Sequence, residues 1–174
     1  MMSVPFVNSY WVVPGQFLAG EHPSEVDEHT TLARLTALLN AGVRTFVDLT
    51  EDHELPSYAR LLRNVAEGRG IDITLVRIPI RDRGIPSEGT LRCILDLIDR
   101  SIATGNPVFL HCFAGLGRTG TVVGCHLKRH RIATAHDVMT KIAELRRLMP
   151  SGREASPQTP EQERIVRSWQ DGSP

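Results

Sequence analysis

The chain has 174 residues, 41% of them apolar, enough for one ordinary globular domain spanning 1–174 with its core over about 10–168. Twenty Lys and Arg balance twenty Asp and Glu, so no whole-chain field draws the molecule to nucleic acid or an anionic membrane. Three cysteines are too few for a disulfide scaffold, and neither a leader pattern nor a run of transmembrane length is present, which predicts a cytoplasmic protein.

Short β-rich runs alternate with helical patterns, which predicts an α/β fold. Residues 11–13 and 17–19 flank Pro14-Gly15 and predict a small hairpin. Leucines at 32, 35, 38 and 39 make a helical stripe over 31–41, with Gly42 as the stop, and 43–49 reads as a buried strand. A second amphipathic helix is predicted over 58–66, then a strand over 73–78. Ser87 caps a predicted helix running to about 103, with Leu91, Ile94, Leu95 and Ile98 on one face. Residues 108–110 form a short strand that delivers Cys112, and 119–129 reads as helix. Thr134 is the predicted cap of a helix over 135–149, with Asp137 at its third position. A polar loop over 150–160 leads to a last helix carrying Ile165, Val166 and Trp169.

The decapeptide His111-Cys112-Phe113-Ala114-Gly115-Leu116-Gly117-Arg118-Thr119-Gly120 carries the chemistry. A thiol and a guanidinium are separated by five residues, two of them glycine. Such a segment can wrap the backbone N–H groups of Phe113, Ala114, Gly115, Leu116 and Gly117 around a tetrahedral anion. The missing side chains at Gly115 and Gly117 allow tight curvature and close approach. The following helix adds the positive end of its dipole. Those N–H groups, the helix end and Arg118 all favour a thiolate, the form that attacks a phosphoryl group. Arg118 supplies a planar fork for two equatorial oxygens, where lysine would offer only a point charge. Thr119 is placed to donate its hydroxyl to the sulfur, and His111 to support the loop backbone. The scheme calls for no metal and no other cofactor.

The segment resembles the His-Cys-x-x-Gly-x-x-Arg-Ser/Thr signature of the cysteine-dependent protein tyrosine phosphatase superfamily. Trp11-x-x-Pro14-Gly15 with Ala19-Gly20 is similar to the start of its small atypical dual-specificity members. The resemblance implies a twisted mixed, largely parallel sheet of four to five strands with helices on both faces. Asp82-Arg83-Gly84-Ile85-Pro86 resembles the superfamily's acid loop, with Ile80-Arg81 standing where tryptophan and proline would be. Asp82 is thereby the expected general acid, with Asp48 and Glu51 as fallback donors. Gln158-Thr159-Pro160-Glu161-Gln162 resembles the Gln-Thr-x-x-Gln element that orients the hydrolytic water, and Gln162 is preferred if one glutamine acts.

The implied activity is hydrolysis of phosphotyrosine, with phosphoserine and phosphothreonine also open, through a cysteinyl-phosphate. Apolar Phe113, Ala114 and Leu116 suit an aryl phosphate. Inositol phosphates, other phosphomonoesters and a binding-only phosphate module remain alternatives. A monomer acting on a phosphorylated protein or peptide is expected, with no nucleic-acid or membrane partner. Cys125 and Cys93 read as packed thiols on core-facing helix positions.

Overall fold

The computed structural model describes residues 3–170. Five strands form one sheet: β1 (Ser9–Val13), β2 (Phe17–Gly20), β3 (Thr45–Asp48), β4 (Thr74–Arg77) and β5 (Val108–His111). Their spatial order is β1-β2-β5-β3-β4, with β1 antiparallel to β2 and every other pairing parallel. The predicted mixed, largely parallel sheet is therefore present. The hairpin around Pro14-Gly15 supplies the antiparallel edge, and β5 lies at the centre.

Strand side chains alternate between two cores. Val108 and Leu110 of β5, Val47 of β3, and Phe17 and Ala19 of β2 enter one core. Phe109, Phe46 and Leu18, one residue out of phase, enter the other. The first core is covered by α3 (Glu88–Ala103), α4 (Gly117–Arg129), α5 (Val138–Arg146) and α6 (Pro160–Ser168), and the second by α1 (Glu28–Asn40) and α2 (Ala59–Glu67).

Local chemistry sets the helix ends. The Asp27 carboxylate accepts from Thr30 N and starts α1 ahead of the leucine stripe, so the helix begins at Glu28 rather than at 31. Ser87 caps α3 through Thr90 N as predicted. α5 is shorter than the expected 135–149. The Asp137 carboxylate accepts from Thr134 N at 2.6 Å and Thr134 Oγ1 at 2.7 Å, which holds 134–137 as a turn and makes Asp137 the cap. At the other end Arg146 donates to Ser151 O and Glu154 O, folding the chain into a 3₁₀ turn at Pro150–Arg153. Cys125 is fully buried as expected, and burial pushes its thiol up to about 12. Cys93 is exposed on α3, because the buried face runs through Leu91, Ile94, Leu95 and Ile98.

Candidate active site

Parallel strands place the loops after β2, β3, β4 and β5 along one carboxyl edge, where open α/β sheets bind ligands. At that edge lies a cleft of about 400 Å³, lined by Cys112, Gly117 and Arg118 of the cysteine loop, by Asp82 and Arg83, and by Glu54. Glu51, His53, Phe113, Ala114 and Gln158 complete its wall.

The cysteine loop is compact because Gly115 takes φ +70° and lies against the end of β2. A Cβ there would stand 2.5 Å from both C and O of Gly20. His22 N donates to Phe113 O at 2.9 Å, so the segment after β2 braces the loop from behind. α4 begins at Gly117. The N–H groups of Gly117, Arg118 and Thr119 thus belong to a first helical turn, which cannot pair them internally. Leu116 O accepts from Gly120 N and from Ser156 Oγ, closing the loop onto the chain before α6. The Leu116 side chain is buried and does not line the cleft, so the apolar wall expected from Phe113, Ala114 and Leu116 reduces to the first two. Phe113 is half exposed at the rim.

Arg118 is almost fully buried, and acceptors fix its guanidinium. Nη1 and Nη2 donate to the two Glu54 carboxylate oxygens at 2.5 and 2.7 Å, and Nη1 also to Ile80 O at 3.0 Å. Nη2 lies 3.2 Å from Asp82 Oδ1. Hydrogen bonds from Arg118 hold the Glu54 carboxyl below its ordinary range. The acid loop reaches this position because Ile78 N and Ile80 N donate to Asp48 O and Leu49 O, continuing the β3–β4 pairing past the strand ends. The chain then turns: Gly84 N donates to Arg81 O at 2.8 Å, and Arg83 takes φ +55°. Ile80, standing where the resemblance has tryptophan, is buried in the core and offers its carbonyl to Arg118.

His111 is fully buried, with Nε2 2.7 Å from Tyr58 Oη and Nδ1 3.2 Å from Cys112 O. Burial pushes its pKa down and pushes that of Tyr58 up. The consistent assignment is a neutral imidazole that accepts from the Tyr58 hydroxyl and donates to the carbonyl of the cysteine. The His22 ring packs against both Tyr58 and His111. Asp48 accepts from Thr50 N and Oγ1 on one oxygen and from Arg77 on the other. Buried in these contacts, it is no donor to the cleft. Glu51 remains at the cleft wall, its Oε2 3.4 Å from Asp82 N.

The two glutamines part company. Gln162 is fully buried: its Oε1 accepts from Gln158 N and Thr159 N in the capping box of α6, and its Nε2 donates to Gly84 O at 2.9 Å. Its Oε1 and one Nε2 N–H are taken by backbone groups, and it lies against Gly117 without lining the cleft. Gln158 is exposed and lines the cleft. Thr119 Oγ1 is buried and has no hydrogen-bond partner among the described residues, so the expected bond to the sulfur is absent in this geometry. Glu54, Tyr58, His22 and Arg77 escaped the sequence reading.

Fold and loop together are those of the protein tyrosine phosphatase class. The structure resembles that of Tk-PTP in its active form, with TM-score 0.67, 25% identity and coverage of 91% of this chain and 93% of that one. It shares the fold with P. aeruginosa TpbA solved in complex with pTyr (TM-score 0.68, 14% identity, 97% and 88% covered). PTPMT1 solved in complex with PI(5)P has the same fold (TM-score 0.66, 18% identity, 91% and 92% covered). Residues 24–131 match the family described as polymorphic toxin system, DSP-PTPase phosphatase, and the chain belongs to that family. Mouse dual specificity protein phosphatase CDC14B is 28% identical over 130 residues, which covers 72% of this chain. The chain spans only 25% of that relative's length. No helix among the described residues is long and apolar enough to cross a membrane.

Proposed function

We propose that this chain hydrolyses phosphomonoesters through a cysteinyl-phosphate, with phosphotyrosine in proteins or peptides as the preferred substrate and phosphoserine and phosphothreonine within range. The observation that carries this reading is the convergence of Cys112, Arg118 and Asp82 on one cleft, with Asp82 Oδ1 3.2 Å from Arg118 Nη2. The Cys112 thiolate attacks phosphorus. The S–P bond forms as the P–O bond breaks, and the leaving oxygen takes its proton from Asp82. Water then attacks the thiophosphate with Asp82 as base and Gln158 orienting it, and the sulfur leaves as thiolate.

Donor geometry says how substrate enters. Nη1 of Arg118 is committed to Glu54 and Ile80 O, and Nη2 to Glu54 and Asp82. An incoming phosphate oxygen takes the Nη2 position that Asp82 now occupies, so binding displaces the carboxyl toward the leaving group. Phe113 at the rim offers a face to an aryl ring.

The decisive experiment is turnover of para-nitrophenyl phosphate without added metal. Cys112→Ser abolishes it, and Asp82→Asn lowers kcat sharply while KM stays nearly unchanged. Retained turnover in Cys112→Ser refutes the nucleophile, and an unaltered rate in Asp82→Asn refutes the acid. Phosphotyrosine peptides, phosphothreonine peptides and inositol polyphosphates compared side by side fix the substrate class. Preference for inositol polyphosphates would overturn the protein-substrate reading.

A further inference from the structure

Away from the cleft, α3 and α4 bring two imidazoles and a carboxylate together. His126 and His130 lie one helical turn apart at the C-terminal end of α4, with ring centroids 4.3 Å from one another. Asp99 of α3 points between them: its Oδ1 is 2.8 Å from His130 Nε2 and 3.8 Å from His126 Nδ1. The donor atoms of the three residues all lie within 4.8 Å of one another.

Two further observations set this group apart from an ordinary surface ion pair. His126 is 2% exposed, and its Nδ1 has no hydrogen-bond partner among the described residues, although it faces the carboxylate. A buried ring nitrogen without a partner is costly unless something fills the position. The ring cannot easily turn away, because it packs edge-on against Phe17 at 4.8 Å. The second carboxylate oxygen of Asp99 is engaged separately by Arg129 Nη1 at 3.1 Å, which fixes the carboxylate and leaves Oδ1 directed at the two rings. Asp96, the other acid facing this group from α3, accepts from Arg129 at 2.7 Å. The other trio of possible ligands, His22, Asp48 and His111, is wholly buried beneath the cysteine loop, and both ring nitrogens of His111 are taken by Tyr58 Oη and Cys112 O, whereas His130 opens the Asp99 group to solvent.

We propose that Asp99, His126 and His130 form a binding site for a divalent transition-metal ion of the zinc class, which clamps α3 to the end of α4. Two neutral imidazoles with one carboxylate form a borderline donor set that suits Zn²⁺ or Co²⁺ and disfavours Mg²⁺ or Ca²⁺. Ligands at i and i+4 of one helix with a third from a neighbour leave a fourth position for water, and the half-exposed His130 gives the ion an entry path. The negative end of the α4 dipole favours a cation there. The opposite end of the same helix carries Arg118 and Thr119, so the clamp fixes the far end of the element that bears the cysteine loop.

This inference does not rest on the phosphatase reading. The test uses the tag-free full chain carrying Cys112→Ser, so that no catalytic thiolate competes for metal, stripped with a chelator and titrated with Zn²⁺ or Co²⁺. Zn²⁺ raises Tm, and Co²⁺ gives a visible ligand-field absorption band. His130→Ala and Asp99→Asn, each added to that background, weaken the apparent Kd at least tenfold and remove the band. His136→Ala, on the exposed surface, leaves both signals intact. Without Cys112→Ser, His130→Ala keeps wild-type turnover of para-nitrophenyl phosphate. Failure of Zn²⁺ to raise Tm, or full retention of the Co²⁺ band in His130→Ala, overturns the proposal.

Discussion

Glu54 is the residue whose role the structure changes most. Its two oxygens take one donor from each terminal nitrogen of Arg118, so the guanidinium plane is fixed before any phosphate arrives. Glu54→Gln keeps the shape but exchanges a charge-assisted pair for one carbonyl and one amide that repels an Arg N–H. Misplacement of a clamp by an ångström is enough for a loss on the order of a hundredfold. The expected outcome is a fall of roughly that size in kcat/KM for para-nitrophenyl phosphate, and an unchanged value would show that Arg118 needs no anchor. The cysteine loop is legible in the sequence because its thiol, glycines and guanidinium are contiguous and spaced by the geometry of an anion nest. Glu54, Tyr58, His22 and Arg77 are not, because each is a lone polar residue whose partner is distant along the chain. One signal was available. In a parallel sheet every segment just past a strand end reaches the same edge, which makes polar residues after β2 and β3 candidates alongside those after β4 and β5.

At the level of elements, the entry to α6 does two separable jobs. Gln162 closes the capping box and ties the helix to Gly84 O, whereas Gln158 faces the cleft. Gln162→Ala empties a fully buried amide site, leaves three part-buried backbone groups without that partner and lowers stability by about 2 kcal/mol in urea unfolding. Gln158→Ala leaves stability unchanged and slows breakdown of the thiophosphate, seen as a larger pre-steady-state burst. A burst change from Gln162→Ala alone would reverse the assignment. The junction of β2 with the cysteine loop is the other sensitive contact. Gly115→Ala combines left-handed backbone with a Cβ 2.5 Å from Gly20 backbone atoms, so a destabilisation of about 3 kcal/mol is expected together with loss of turnover. Near-wild-type unfolding would show that the loop can retreat from β2. The longer helices are readable from the spacing of their apolar residues, and the strands as short β-rich runs between them. The ends of α1 and α5 were not, because the Asp27 and Asp137 carboxylates set them through local backbone contacts that carry no periodic signal.

For the molecule as a whole, the group beneath the cysteine loop makes folding sensitive to acid. Burial is the main cause that pushes His22 down to about 3, and burial likewise lowers His111. Both rings are neutral in the native state and take up protons on unfolding near 6.5. Their contribution is therefore complete above about pH 6.5 and declines as pH falls, approaching about 1.4 kcal/mol per pH unit for His22 well below that pH, with His111 acting in the same direction. Urea midpoints measured at pH 7.5 and 5.5 should fall between the two, and a midpoint that holds or rises would contradict it. Depressed carboxylates such as Glu54 act in the same direction only at lower pH, as they take up protons below their ordinary range. The way the acid loop is fastened has its own consequence. Upstream, Ile80 is pinned by Leu49 and by the guanidinium; downstream, the carbonyl of Gly84 is held from α6. Only Arg81–Arg83 lie between these pins. In the proposed mechanism Asp82 therefore rides on a short bridge held at both ends rather than on a swinging flap, and a side-chain rotation is the travel left to it.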